Sequence, residues 1–173
     1  MRTANRLRSA ALLAAFGSVF TLAGCAGGED VTAQSLRVAR QRWERSAIRD
    51  YDLEWTSSGL SNSHYRVTVR GGKVRAIESV FRGKGTEVHP ADPKYYGVEG
   101  LFMIIADELA QLEGKAPFGQ PKGTRAVLRF TPDPTLGYPR SYRRDVLGTP
   151  LALRIDVIHF DPNPPLARTT PSP

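Results

Sequence analysis

The sequence predicts an α+β domain, and two observations carry that reading. Two segments place apolar residues at helical spacing, residues 33–48 and 98–112. Between and after them lie runs in which apolar and polar residues alternate with period two. Such runs put one face of a strand into a core and the other into water. The expected architecture is an antiparallel sheet of about six strands with both helices packed on one face, in the order helix, three strands, helix, three strands. That order reads as two helix-plus-three-strand units in tandem.

The first helix pattern uses Leu36, Ala39, Trp43 and Ala47 as one apolar stripe. Arg42, Arg45 and Arg49 group on roughly the opposite side. That arginine group suits either an anionic partner or an ordinary solvated helix face. Tyr51, Leu53 and Trp55 then alternate with Asp52 and Glu54 as a strand, and residues 57–63 read as a loop. Tyr65, Val67 and Val69 alternate with Arg66, Thr68 and Arg70 as far as Gly71-Gly72. Two glycines supply the positive φ angles of a tight hairpin turn, so residues 73–81 return as the partner strand. Residues 82–96 show no period and read as a loop. Their Gly83-Lys84-Gly85-Thr86 lacks the spacing of a phosphate-binding loop.

Val98, Leu101, Phe102, Ile105, Leu109 and Leu112 form the second helix stripe, with Glu99 and Glu108 on its wet side. Strands are expected at 126–130, 140–147 and 151–157, the first two joined by the rigid connector Thr131 to Pro139. The segment from Asp161 holds five of the 13 prolines and reads as a disordered tail, 161–173.

The first 24 residues predict an address. Arg2, Arg6 and Arg8 precede an uncharged, largely apolar run over residues 10–23. A basic start followed by a short apolar stretch is the layout of a secretory signal. The run ends in Leu22-Ala23-Gly24-Cys25, which resembles the bacterial lipobox. That resemblance implies lipidation of Cys25 and cleavage before it. The expected organisation is a signal peptide over 1–24, a lipidated cysteine and flexible tether over 25–32, one domain over 33–160, and the tail. Cys25 is the one cysteine of the chain, so no disulfide within the chain holds the fold.

Removing residues 1–24 leaves 149 residues, enough for one domain with a real core. It also removes three of the net +7 charges, leaving about +4. So mild a basicity on an exported chain argues against nucleic-acid binding. The expected partners are a membrane, held through lipidated Cys25, and an envelope protein or peptide. The expected location is the cell envelope, facing the periplasm or the outside.

Several further features resemble a family of uncharacterised bacterial envelope proteins, many of them lipoproteins, defined by a domain of unknown function. They are Arg42-Trp43, Ile48-Arg49-Asp50-Tyr51, Tyr65 to Val74 with its Gly-Gly turn, Gly100-Leu101-Phe102, and Pro132 to Pro139 with Leu136-Gly137-Tyr138-Pro139. The resemblance spans roughly residues 36–160. It implies a fold and an address and leaves activity open. Family members carry cysteines between the first two strands; residues 55–64 have none.

The chain carries no Gly-x-Ser-x-Gly, no His-Glu-x-x-His and no free thiol once Cys25 is lipidated. No cofactor and no metal is expected. Trp43, Tyr51, Trp55, Tyr65 and Tyr138 suit either a helix–sheet core or an apolar groove for a peptide or acyl group. Trp55 and Tyr138 are the candidate ligand-binding residues. These observations favour a non-enzymatic binding or assembly module. The alternative is a hydrolase or metal-dependent enzyme using His64 or His159 with a nearby carboxylate.

Overall fold

The computed structural model describes residues 28–59, 61–114 and 116–162. The signal segment, Cys25 and all but the first two residues of the expected tail lie outside them. The described residues form an α+β fold with one antiparallel sheet and two α-helices. In chain order the elements are β1 (Glu29–Asp30), α1 (Ala33–Ser46), β2 (Tyr51–Gly59), β3 (Ser63–Arg70), β4 (Lys73–Phe81), β5 (Lys84–Glu87), α2 (Val98–Leu112), β6 (Ala126–Pro132), β7 (Pro139–Val146) and β8 (Ala152–Asp161). Short 3-10 turns at Pro93–Tyr96 and Pro117–Gly119 flank α2.

The sheet has eight strands, not about six, in the order β1-β6-β7-β8-β2-β3-β4-β5. Four strands separate the helices, and a two-residue strand precedes the first helix. Both additions are edge strands without apolar alternation. Lys84 to Glu87 is exposed throughout and pairs with β4 through backbone bonds, after a turn in which Arg82 and Gly83 both have positive φ. Glu29 and Asp30, expected in a tether, pair with Phe130 and Arg129 because the buried Val31 beside them anchors the segment. Strands β2 and β3 also extend into the expected loop at 57–63, and β8 runs on to Asp161.

The two three-strand sets lie side by side. The sets β6-β7-β8 and β2-β3-β4 meet along β8 and β2, where Leu53 opposes Phe160 and Trp55 opposes Val157. One face of this sheet is apolar: Tyr51, Leu53, Val67, Val69, Leu128, Phe130 and Tyr142 are buried. Both helices cover that face and share its core through Leu36, Ala39 and Trp43 from α1, and Leu101, Phe102 and Ile105 from α2. The other face is open and charged. No helix among the described residues is long and apolar enough to cross a membrane.

Helix α1 starts at a reciprocal cap: Thr32 Oγ1 accepts the Ser35 N–H and Ser35 Oγ accepts the Thr32 N–H, both at 3.0 Å. Helix α2 packs backbone to backbone on the 3-10 turn before it. A Cβ on Gly100 would sit 2.3 Å from the Tyr95 carbonyl carbon, so only glycine fits there. Glu108, expected on the wet side of α2, is 9% exposed. It is paired with Arg144 at 2.7 Å and accepts the Tyr142 hydroxyl at 3.2 Å. An acid about three turns into an apolar helix survives burial because those two donors replace water.

The β6–β7 turn is built around Asp133, whose carboxylate accepts the N–H groups of Thr135 and Leu136 at 2.9 and 2.7 Å. The turn then presses onto α1. Gly137 has φ +87°, and a Cβ there would lie 2.4 Å from the Ala39 carbonyl oxygen and 3.0 Å from the Trp43 nitrogen. Gly71 also has positive φ, at +62°, but faces open space. Gly137→Ala should therefore lower stability by about 2–3 kcal/mol, and Gly71→Ala by about 1 kcal/mol. Chemical denaturation of the two variants checks this; equal midpoint shifts would mean that α1 imposes no steric demand on the turn.

Candidate functional site

Two aromatic groups stand on the covered face of the sheet. In the first, Trp43 of α1 meets Tyr51 of β2 edge-on at 5.5 Å, and Phe160 of β8 at 5.8 Å. Tyr138 stacks on Phe160 at 4.4 Å and turns its edge to Trp43 at 6.4 Å. In the second, Trp55, Tyr65 and Tyr96 lie within 4.9–6.0 Å of one another. No ring contact joins the groups, so the two candidate ligand-binding residues fall into different ones. Trp55 is 6% exposed, and its Nε1–H donates to the Tyr96 carbonyl at 3.0 Å. Tyr138 is half-buried and closes the core beside the β6–β7 turn.

The polar centre of the first group is Glu99. Its Oε1 accepts the Trp43 Nε1–H at 3.2 Å, and its Oε2 accepts the Tyr51 hydroxyl at 3.0 Å. The same hydroxyl accepts the Val98 N–H at 2.9 Å and so caps α2 from the sheet. Sequence reasoning placed Glu99 on the wet side of its helix. The available signal was an acid in the first turn, where the helix dipole favours negative charge. Burial pushes the Tyr51 hydroxyl far above the ordinary tyrosine range, and the Glu99 charge adds to it. Burial does the same to Tyr142, helped by Glu108.

Above this network, with Trp43 and Glu99 on its wall, a furrow runs between α1 and α2. Its larger part, about 540 Å³, is lined by Arg40, Trp43, Ile48, Arg49, Phe102 and Met103, with Glu44 and Glu99 also on its wall. A smaller part, about 320 Å³, continues past Arg40 to Leu36 and Leu109. The Arg40 guanidinium lies 5.4 Å over the Phe102 ring. The furrow offers an apolar floor between charges of both signs. Its lining came from two segments 50 residues apart in sequence, so helical periodicity gave the faces but not their meeting.

On the open face, His64 Nε2 is 2.7 Å from Glu54 Oε1, and His159 opposes Glu54 across the β2–β8 pairing. Arg66, on β3 with His64, stands 3.6 Å from Glu54. His89 lies elsewhere, 3.9 Å from Glu87. Among the described residues no group of three or more histidine, cysteine and carboxylate side chains is placed to hold a metal ion. Gly83 to Thr86 forms the β4–β5 turn and edge strand rather than a phosphate loop. Cys25 lies outside the described residues.

Residues 35–115 match the model of a family of unknown function, DUF6174. The match covers α1 through α2 and ends before the Pro132–Pro139 turn. No curated protein matches the chain.

The buried tyrosines make alkaline stability a test of this network. Unfolded tyrosine ionises near pH ~10, whereas buried Tyr51 and Tyr142 keep their protons beyond it. Their contribution is therefore complete below about pH 10 and lost as pH rises above it, at up to ~1.4 kcal/mol per pH unit for each tyrosine. Tyr51→Phe should flatten that slope by about half and cost about 1–3 kcal/mol at neutral pH, since the Val98 N–H loses its acceptor. Denaturation curves between about pH 8 and 11 measure both, and a wild-type stability that stays level across that range contradicts the burial argument.

Proposed function

We propose that this chain is a lipid-anchored, non-enzymatic binding module of a bacterial cell envelope, with the furrow between α1 and α2 as its ligand site. The observation that carries the address is Leu22-Ala23-Gly24-Cys25, placed directly after a basic and then apolar leader. The envelope-protein resemblance noted above supports the same address. The ligand is a peptide or an acyl-bearing envelope component. Met103 and Ile48 offer it apolar contact over the buried Trp43 and Phe102, and Arg40 and Arg49 stand ready for an acidic group on it. Trp55 and Tyr138 serve as core residues in this reading.

The test is made on the protein expressed in a bacterium with a lipoprotein pathway, wild type against Cys25→Ala. The expected product lacks residues 1–24, carries a lipid mass and partitions into detergent, and all three properties vanish in the variant. A photo-crosslinker at position 103 in the same envelopes should give a discrete adduct that Arg49→Glu and Arg40→Glu weaken several-fold. A processed, unlipidated product removes the anchor; an adduct indifferent to both substitutions removes the furrow.

A second reading rests on Glu54. With His64 at 2.7 Å and His159 opposite, Glu54 is the nearby carboxylate that a hydrolytic or metal-assisted reaction at His64 or His159 requires. It calls for turnover of a simple aryl ester that falls at least ~100-fold in Glu54→Gln and His64→Ala. Rates equal to wild type in both variants discard it.

A further inference from the structure

Antiparallel pairing sorts the loops of this sheet into two ends. The start of β1 lies at the end of β6, and hence beside the β6–β7 turn. The start of β7 lies beside the end of β8, the end of β8 beside the start of β2, and the start of β2 beside the β3–β4 turn. Helix α1 runs into the start of β2, so its C-terminal turn belongs to the same end. The chain enters the described fold there too: Gly28 sits against the Phe130 carbonyl and Thr131.

The arginines of the open face are paired and the cations at the ends of the sheet are not; Arg82 and Lys84 at the β4–β5 turn form no ion pair among the described residues either, so the anchor, rather than the number of unpaired cations, selects the entry end. On the open face, Arg66, Arg70, Arg129, Arg143 and Arg154 each stand within 4.0 Å of a carboxylate. At the entry end, Arg42, Arg45, Arg49, Lys73 and Arg140 form no ion pair among the described residues. Two contacts fix their grouping. Arg49 Nε lies 3.6 Å from where a Cβ on Gly72 would be, next to Lys73. Arg42 Cβ packs against Gly137, three residues before Arg140. Three nearby carboxylates are turned to other work: Asp50 accepts the Gly71 N–H, Asp133 accepts two N–H groups, and Asp52 stands 2.9 Å from Arg70; exposed Glu44 in the last turn of α1 offsets one of the five cations. Glu29 is the acid nearest the entry, with Asp161 beside Asp52 on the open face.

We infer that this end of the sheet is a contact surface for anionic lipid headgroups. The inference rests on the anchor proposed above and extends it to an orientation. Cys25 is three Cα–Cα steps from Gly28, a reach of at most about 11 Å. A lipid on Cys25 holds the entry end within roughly a Debye length of the bilayer, where charges on the two surfaces act on each other. Unpaired arginines and a lysine then face the headgroups, and the furrow between the helices opens beside the membrane through Arg49.

Hydrogen–deuterium exchange on the lipoprotein tests this, in lipid nanodiscs of phosphatidylcholine alone or with about 30% phosphatidylglycerol. Anionic discs should slow exchange at residues 47–50 and 70–73 at least three-fold while leaving the β4–β5 turn, at the opposite end, unchanged. About 0.5 M salt should erase the difference, as should Arg45→Glu combined with Arg49→Glu. No difference between discs, or equal slowing at both ends of the sheet, overturns the inference. A protein isolated without lipid mass defeats the anchor separately. Sedimentation of that unlipidated chain with the two lipid compositions then decides the surface: binding to anionic vesicles alone, weakened at least ten-fold by the double charge reversal, supports it, and absence from both defeats it.

Discussion

The Tyr51 hydroxyl holds three elements in one arrangement. It belongs to the first residue of β2, accepts the first N–H of α2 and donates to Glu99, which in turn receives the Trp43 indole of α1. Helix α2 has no cap of its own, because Gly97 at that position has no side chain to offer. The missing side chain is also what admits the phenol: a Cβ on Gly97 would stand 3.0 Å from it. The sheet therefore caps the helix that covers it. A hydroxyl buried in this way has little freedom to lose a partner, since water cannot replace one.

The remaining sequence features noted in the resemblance converge on the same region. Asp50 and the Arg49 carbonyl receive the N–H groups of Gly71 and Gly72, which seats the β3–β4 turn on the α1–β2 connection. Gly100 lets the 3-10 turn reach α2, and Gly137 lets the β6–β7 turn reach α1. Tyr138 fills the space between Trp43 and Phe160. These residues are bound to one another. In the proposed reading, function is carried on surfaces this framework presents, the outer furrow between the helices and the basic entry end.

Much of the fold was legible because it is written in periodicity. The stripe through Leu36, Ala39 and Trp43 and the alternation through Tyr51, Leu53 and Trp55 each bury the residues they point to. What was not legible has a common cause in tertiary pairing. The strands Glu29–Asp30 and Lys84–Glu87 carry no apolar face and exist because a neighbouring strand offers backbone partners. Glu99 and Glu108 read as wet because a carboxylate's donors come from distant segments that no local pattern reveals. The candidate site was legible only in its parts: the aromatic set was visible, while its division into two groups depends on which strand lies beside which.

The seam between β8 and β2 has a consequence for how the chain reaches its native state. The nine residues of β2 are made about 100 positions before the strand that completes them. During synthesis the segment matched to the family, residues 35–115, is finished while one long flank of β2 is still an unsatisfied edge bearing Leu53 and Trp55. Closing it demands contacts of large sequence separation, the slow kind in chain folding. Such an edge is also a template for pairing with another chain. A chain ended at residue 115 therefore has an adhesive border where the longer one has an interior.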